Sequence, residues 1–249
     1  MRIGSLFAGI GGLELGLENA GTGRVTWQVE IDPWCREVLR KHWPDAKRYE
    51  DVNNVGSHNL ERVDLICGGF PCQDVSSAGA RKGLVGERSG LWFQYLRIVN
   101  EVRPRWVVVE NVASGATRWV DQVISGLEQL GYSCVPFPVR ADSLGAPYCR
   151  ARIFIVARLA NANSSGEHLE PFDAEMARAQ QSHAVSGGER SPSYPDGERL
   201  RNHWSQPMPP VVRMVPGPSE RMARRAAGNC VVPQCAEVIG HIVNLLEHS

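Results

Sequence analysis

Hydrophobic and polar positions along the first 160 residues alternate between two periods. "RIGSLF" (2–7) reads as a strand, and "GGLELGLENAG" (11–21) has the spacing of a helix closed by Gly21. "RVTWQVEID" (24–32) predicts a second strand. "PWCREVLRKHW" (33–43) predicts a helix with Pro33 in its first turn and Pro44 beyond its end. "VDLICGG" (63–69) and "RWVVVEN" (105–111) are apolar runs suited to strands covered on both faces, with a helix predicted in "SGLWFQYLRIVNEV" between them. After "WVDQVISGLEQLGY" and "SCVPFPVRA", "ARIFIVARLA" (151–160) is the last strong strand signal. The alternation implies an α/β protein with a parallel, doubly wound sheet.

From about Asn161 to Ser219 the pattern fades, and Ser, Pro, Gly, Asn, Glu and Arg dominate, as in an inserted small domain or a long functional loop. Helical spacing returns in "SERMARRAAGNCVVPQCAEVIGHIVNLLEHS", whose last part is amphipathic.

Composition changes this picture little. With 249 residues, 43% of them hydrophobic and 22% charged, the chain can bury one large core. No apolar stretch approaches the roughly 20 residues of a membrane span, and "MRIGSLFAG" has no secretory pattern, so the expectation is a cytoplasmic protein without a membrane partner. Net charge is zero, so a nucleic-acid partner would require arginines gathered on one face. The seven cysteines lack any Cys-x-x-Cys spacing, which speaks against a disulfide framework or a zinc site and makes most of them candidate buried thiols.

Two stretches carry the candidate chemistry. In "SLFAGIGGLELGLE", Gly9, Gly11 and Gly12 lie between a strand and a helix, where glycine lets backbone approach a ligand. Glu30 follows at the end of the next strand, at the distance expected of a carboxylate that holds ribose hydroxyls, and Asp51 after a third strand is placed to accept from an adenine amino group. The third glycine of a dinucleotide fingerprint is replaced by Glu14, and a carboxylate beside a pyrophosphate would be repulsive. S-adenosylmethionine therefore fits better than a nicotinamide dinucleotide. The second stretch is "GGFPCQDVSSAG" (68–79), which places Cys72 just past a strand end, on the sheet edge that also receives Glu110 and Asn111.

With "SLFAGIGGLELG", "EID", "GGFPCQDVSSAG", "ENV", "RARIFIVA" and "GNCVVPQ" in this order, the chain resembles the DNA cytosine-5 methyltransferase family. The resemblance implies a Rossmann-like S-adenosylmethionine-dependent methyltransferase fold, with a mostly parallel, doubly wound sheet and a small irregular target-recognition domain. Residues 1–159 plus 220–249 would form the catalytic domain and 160–219 the recognition region. Cys72 then corresponds to the nucleophile, Glu110 to the residue gripping the cytosine edge, and Arg152, less directly Arg150, to the two arginines of a further family motif; Gln73 completes the catalytic set. The cofactor would lie against Phe7, Gly9, Ile10, Gly11, Gly12, Glu30, Ile31, Asp51, Pro71 and Asn229. Ser76, Arg81, Lys82 and Arg88, in a loop expected to close over DNA, and Arg213 and Arg225 would contact the nucleic acid.

The implied partner is double-stranded DNA, bound by a monomer that needs no metal. Tyr148 departs from the family pattern, which has glutamine or histidine there, and the short recognition region predicts a short target site. Two alternatives keep the same fold: a cytosine-5 methyltransferase acting on transfer RNA, and a catalytically silent DNA-binding protein. A nicotinamide oxidoreductase is a third.

Overall fold

The structure is a computed structural model that describes residues 1–71, 90–114, 116–146, 148–160 and 230–248. The elements run β1 (Arg2–Leu6), α1 (Gly12–Asn19), β2 (Arg24–Val29), α2 (Pro33–His42), β3 (Lys47–Tyr49), a 3₁₀ turn (Val52–Asn54), β4 (Leu65–Gly68), α3 (Gly90–Val102), β5 (Trp106–Val112), α4 (Ala116–Gln129), β6 (Tyr132–Arg140), a 3₁₀ turn (Asp142–Leu144), β7 (Ala151–Leu159) and α5 (Pro233–Glu247). The seven strands form one sheet in the order β3-β2-β1-β4-β5-β7-β6. β1 to β5 are mutually parallel, and β7 runs antiparallel to both β5 and β6. The expected α/β, Rossmann-like, mostly parallel sheet is therefore present. The division at residues 160–219 and 220–249 falls largely outside the described residues.

Local chemistry accounts for the elements. Asp32 caps α2 by accepting from the backbone N–H groups of Trp34 and Cys35, and Pro33 occupies the first turn, where its missing N–H interrupts nothing. Along β5, Trp106 and Val108 join the core under α1 and α5, whereas Val107 and Val109 join the core under α3 and α4. That double burial explains an apolar run without polar alternation. β6, which carries Pro136 and Pro138, is a strand in a stretch for which the sequence pattern names no element. Two residues apart, the prolines direct their nitrogens to one side of the outermost strand, where missing donors cost no ladder.

α5 returns across the molecule to pack on α1. A Cβ at Gly16 would lie 2.2 Å from the Pro233 carbonyl oxygen, so only glycine permits this separation between the helices. Asn244 Nδ2 ties the far end by donating to the Ala20 carbonyl at 2.8 Å. Among the described cysteines, Cys35, Cys67 and Cys235 are buried, Cys134 and Cys230 half-buried and Cys149 exposed. Burial is thus less general than expected.

The topology fixes where a ligand belongs. The chain winds from β1 toward β2 on one side and crosses to β4 on the other, which opens a crevice at the carboxyl ends of these neighbours. Because β7 is antiparallel, its beginning reaches the same edge: Arg152 pairs with Val112 at the end of β5.

Candidate active site

β1 ends in a turn that only small or strained residues can make. Gly9 and Gly11 have positive φ (57° and 89°), and so does Phe7, at 56°. For a bulky non-glycine residue that conformation is costly and marks a constrained site. Phe7 is held by stacking on Tyr95, with ring centroids 6.4 Å apart. A Cβ at Gly9 would meet nothing within 4 Å, so space is open over the turn, whereas one at Gly11 would enter the Trp43 ring. Ile10 is buried against Cys35 and Val38.

Glu30 closes this turn from the end of β2. Its Oε2 accepts from Gly9 N at 2.7 Å and its Oε1 from Asp32 N at 2.9 Å. Each carboxylate oxygen can accept more than one bond, so room remains for ligand hydroxyls. Burial raises the Glu30 pKa, while the Asp32 and Gly9 amides oppose the shift. Ile31 beside it is 72% exposed, an apolar side chain presented outward at the crevice. Asp51 caps the following 3₁₀ turn through bonds from Asn53 N and Nδ2, both at 2.8 Å. A helix cap is its demonstrated role here. Together these groups fit an adenosine: a carboxylate for ribose hydroxyls, an apolar surface for a base, and a turn, Phe7 to Gly12, without a basic side chain for phosphates.

Glu14 requires a correction. Its carboxylate is expected beside the ligand from the glycine spacing, but the side chain is fully buried under the turn, near Ser5 and Cys67. Burial pushes its pKa up to about 7. The preference for a ligand without phosphates therefore rests on the turn's composition and not on repulsion from Glu14.

The second half of the site lies across the β4–β5 edge. Glu110 is buried, and Arg152 Nε lies 2.7 Å from its Oε1. They share a sheet face: Glu110 pairs with Phe154 across the strands, and Arg152 is two residues earlier on β7. Burial pushes the Glu110 pKa up to about 7, against the opposing charges of Arg152 and Arg150 and the Arg152 hydrogen bond. Desolvation thus outweighs an ion pair at close range. Gly69 makes this placement possible, since a Cβ there would lie 2.6 Å from Glu110 Oε2.

Asn111, next along β5, points to the opposite face. Its Nδ2 donates to the Phe70 carbonyl at 3.1 Å, and its Oδ1 accepts from Val112 N at 2.8 Å. The Phe70 ring packs on Trp92 and Trp119, with centroids 5.6 and 6.2 Å away. Phe70 is thereby fixed from both its backbone and its ring, and the exposed Pro71 leads on to Cys72.

Arg150 serves a different group from Arg152. Its NH2 donates to the Cys230 carbonyl at 2.6 Å and so ties the start of β7 to the segment before α5. The Val231 carbonyl in that segment abuts Gly12. Tyr148 is 45% exposed near Arg150, Cys230 and Cys235.

The structure thus brings Phe7, Gly9, Ile10, Gly11, Gly12, Glu30, Ile31, Pro71, Glu110, Arg150 and Arg152 to one sheet edge or the elements packed on it. Cys72, Gln73, Ser76, Arg81, Lys82, Arg88, Arg213, Arg225 and Asn229 lie outside the described residues. Sequence reasoning assigned no role to Gly69 or to the Asn111 side chain. The doubled glycine at the end of an apolar run was the available signal for the first.

The chain belongs to the C-5 cytosine-specific DNA methylase family, whose model matches residues 1–207. The type II methyltransferase M2.BsuMI of Bacillus subtilis (strain 168) is 35% identical over 183 residues, covering 69% of this chain and 46% of that protein. M.NgoFVII of Neisseria gonorrhoeae, also a type II methyltransferase, is 34% identical over 180 residues, covering 70% and 48%. The chain spans about half the length of these curated relatives. In fold it is similar to the Entamoeba histolytica methyltransferase EhMeth, with a TM-score of 0.69 at 14% identity over 99% of this chain and 98% of that one.

Proposed function

We propose that the protein transfers a methyl group from S-adenosylmethionine to C5 of a cytosine turned out of double-stranded DNA, through a covalent bond between Cys72 and C6. Membership of the family supports the reaction class. The single observation that carries the reading is the Glu110–Arg152 pair at 2.7 Å, buried at the sheet edge beside the chain that leads into Cys72.

Bound S-adenosylmethionine supplies an electrophilic methyl on a sulfonium. The Glu30 carboxylate would accept from its ribose hydroxyls, Ile31 would lie against its adenine, and Asp51 would receive the adenine amino group. The open space at Gly9 would admit the chain that carries the methyl. Pro71 and Asn229 would border the same ligand.

Cytosine C5 is a weak nucleophile until a thiolate adds at C6 and makes it enamine-like, so covalent addition divides one difficult step into easier ones. A free thiol with a pKa near 8.5 is only a few per cent thiolate at neutral pH. The Arg152 guanidinium contributes positive potential at the site. With a pKa raised to about 7, Glu110 is partly protonated at neutral pH and can donate to the ring nitrogen N3 as charge develops there. Arg152 orients that carboxyl and would donate to the exocyclic carbonyl oxygen O2 of the base. After methyl transfer a base removes the C5 proton, and the thiolate leaves as the double bond re-forms.

Turning the base out costs a few kcal/mol of stacking and pairing, to be recovered by the site. Ser76, Arg81, Lys82 and Arg88 would close on the DNA while Gln73 stays with Cys72 in the catalytic set, with Arg225 on the DNA backbone and residues 160–219, Arg213 among them, reading a short site. The protein would act as a monomer in the cytoplasm. Among the described residues no helix is long and apolar enough to cross a membrane.

Methyl-group incorporation from labelled S-adenosylmethionine, measured in parallel on duplex DNA and on transfer RNA, tests the proposal. Label is expected in duplex DNA at C5 of cytosine. Label confined to RNA would transfer the same chemistry to a different substrate, and no label in either would leave a binding protein.

A further inference from the structure

Arg36 sits in the first turns of α2, where a cation faces the positive end of the helix dipole and gains nothing from it. Its side chain nevertheless folds back toward the end of β2. NH1 donates to the Glu30 carbonyl at 2.9 Å and to the Ile31 carbonyl at 2.8 Å, while NH2 reaches Glu50 Oε1 at 3.0 Å. The guanidinium side is largely covered, at 14% exposure, whereas Glu50 is 76% exposed.

The two carbonyls belong to the segment that leaves the sheet at the crevice. Its other polar groups are also engaged. Glu30 N donates to the Tyr49 carbonyl at 3.0 Å, the Glu30 carboxylate spans Gly9 and Asp32, and Asp32 caps α2. On this tied backbone the Ile31 side chain stands out 72% exposed. A single exposed isoleucine is ordinary on a protein surface; what distinguishes Ile31 is its place directly after Glu30, on the backbone that Arg36 holds.

We infer that Arg36 is the positioning residue of the cofactor site, a clamp that holds the Glu30–Ile31 backbone so that the carboxylate and the apolar surface meet an adenosine together. This inference rests on the S-adenosylmethionine reading above and assigns to Arg36 no contact with the ligand. A loss at Arg36 releases two carbonyls and loosens both recognition groups at once, so affinity for the adenosine part falls while the chemistry at Cys72 and Glu110 is untouched.

The test compares wild type with Arg36→Met, Arg36→Lys, Glu50→Gln, Ile31→Ala and the Arg36→Met/Ile31→Ala double variant. Binding of S-adenosylmethionine and S-adenosylhomocysteine is followed by calorimetry, and steady-state kinetics are measured with both substrates varied. Arg36→Met should weaken both ligands roughly tenfold, the scale of losing a charged hydrogen-bond donor. It should raise KM for the cofactor by a similar factor, with kcat at saturation and KM for DNA within about twofold. Lysine should recover part of the loss, Glu50→Gln should change binding less than about twofold because that partner is solvated, and the double variant should lose less than the product of the single losses.

Wild type that binds neither ligand would sink the cofactor reading and this inference with it. Wild type that binds, alongside an Arg36→Met that binds equally well, would overturn the clamp alone. So would an equal fall in kcat and in affinity for DNA, or a double variant whose losses simply multiply. Should Arg36→Met not fold, the lysine variant and the Ile31 coupling measured with it decide the question by the same criteria.

Discussion

Gly69 and Glu110 meet across the gap between β4 and β5: a Cβ on Gly69 would stand 2.6 Å from Glu110 Oε2, well inside contact distance. The missing side chain is the space the carboxylate occupies. Gly69→Ala should therefore turn Glu110 out of position without unfolding the sheet, lowering kcat on the order of 100-fold, as for a misplaced reacting group. Single-turnover methylation measures the loss, and a thermal melt within a few degrees of wild type shows that the fold is kept.

Arg152 holds the other oxygen of the same carboxyl through its Nε. Arg152→Lys keeps the charge and loses the planar fork, so Glu110 remains countered in charge but not fixed in angle. A fall in kcat of roughly 10- to 100-fold with nearly unchanged cofactor affinity is expected from single-turnover rates and calorimetry.

Asn111 acts one residue away and on the other face, through the Phe70 carbonyl. Asn111→Ala leaves that buried acceptor unpaired, which should cost about 1–2 kcal/mol in urea unfolding. It should also slow methylation about tenfold by loosening the approach to Cys72. Equal loss of stability with full activity would confine Asn111 to the fold.

Glu14 provides a pH signature independent of catalysis. Its folded pKa is raised from 4.5 to about 7 by burial. The stability it contributes is complete below about 4.5 and lost as pH rises through about 7, because the unfolded chain ionises first and releases its proton. Up to about 3 kcal/mol is at stake over that window. Glu14→Gln should flatten it: near pH 5 the variant and wild type should unfold at similar denaturant concentrations, and at pH 8 the variant should be the more stable.

How much of this was legible in the sequence depends on what each residue answers to. β1, β2, β4 and β5 announce themselves because both their faces are buried and their composition follows, and the Pro33 and Gly21 punctuation places helix ends within a residue or two. β6 escaped because its prolines are tolerated only at an outer edge, a property of strand order and not of the local stretch. Glu30 and Glu110 were readable as carboxylates at strand ends. The Arg36 clamp, the inward turn of Glu14 and the fit of Gly69 to Glu110 were not, since each is set by which side chain the fold brings opposite, and several are separated by many positions in the chain.

The central claim concerns one sulfur, and a mechanism-based trap addresses it directly. A duplex carrying 5-fluorocytosine at the target position, incubated with the protein and S-adenosylmethionine, should yield a denaturant-stable protein–DNA adduct, because fluorine at C5 blocks the elimination that would release the thiolate. Peptide mapping should place the link on Cys72, and Cys72→Ser should form none. An adduct at another residue, or full cytosine methylation by the Cys72→Ser variant, would contradict the mechanism.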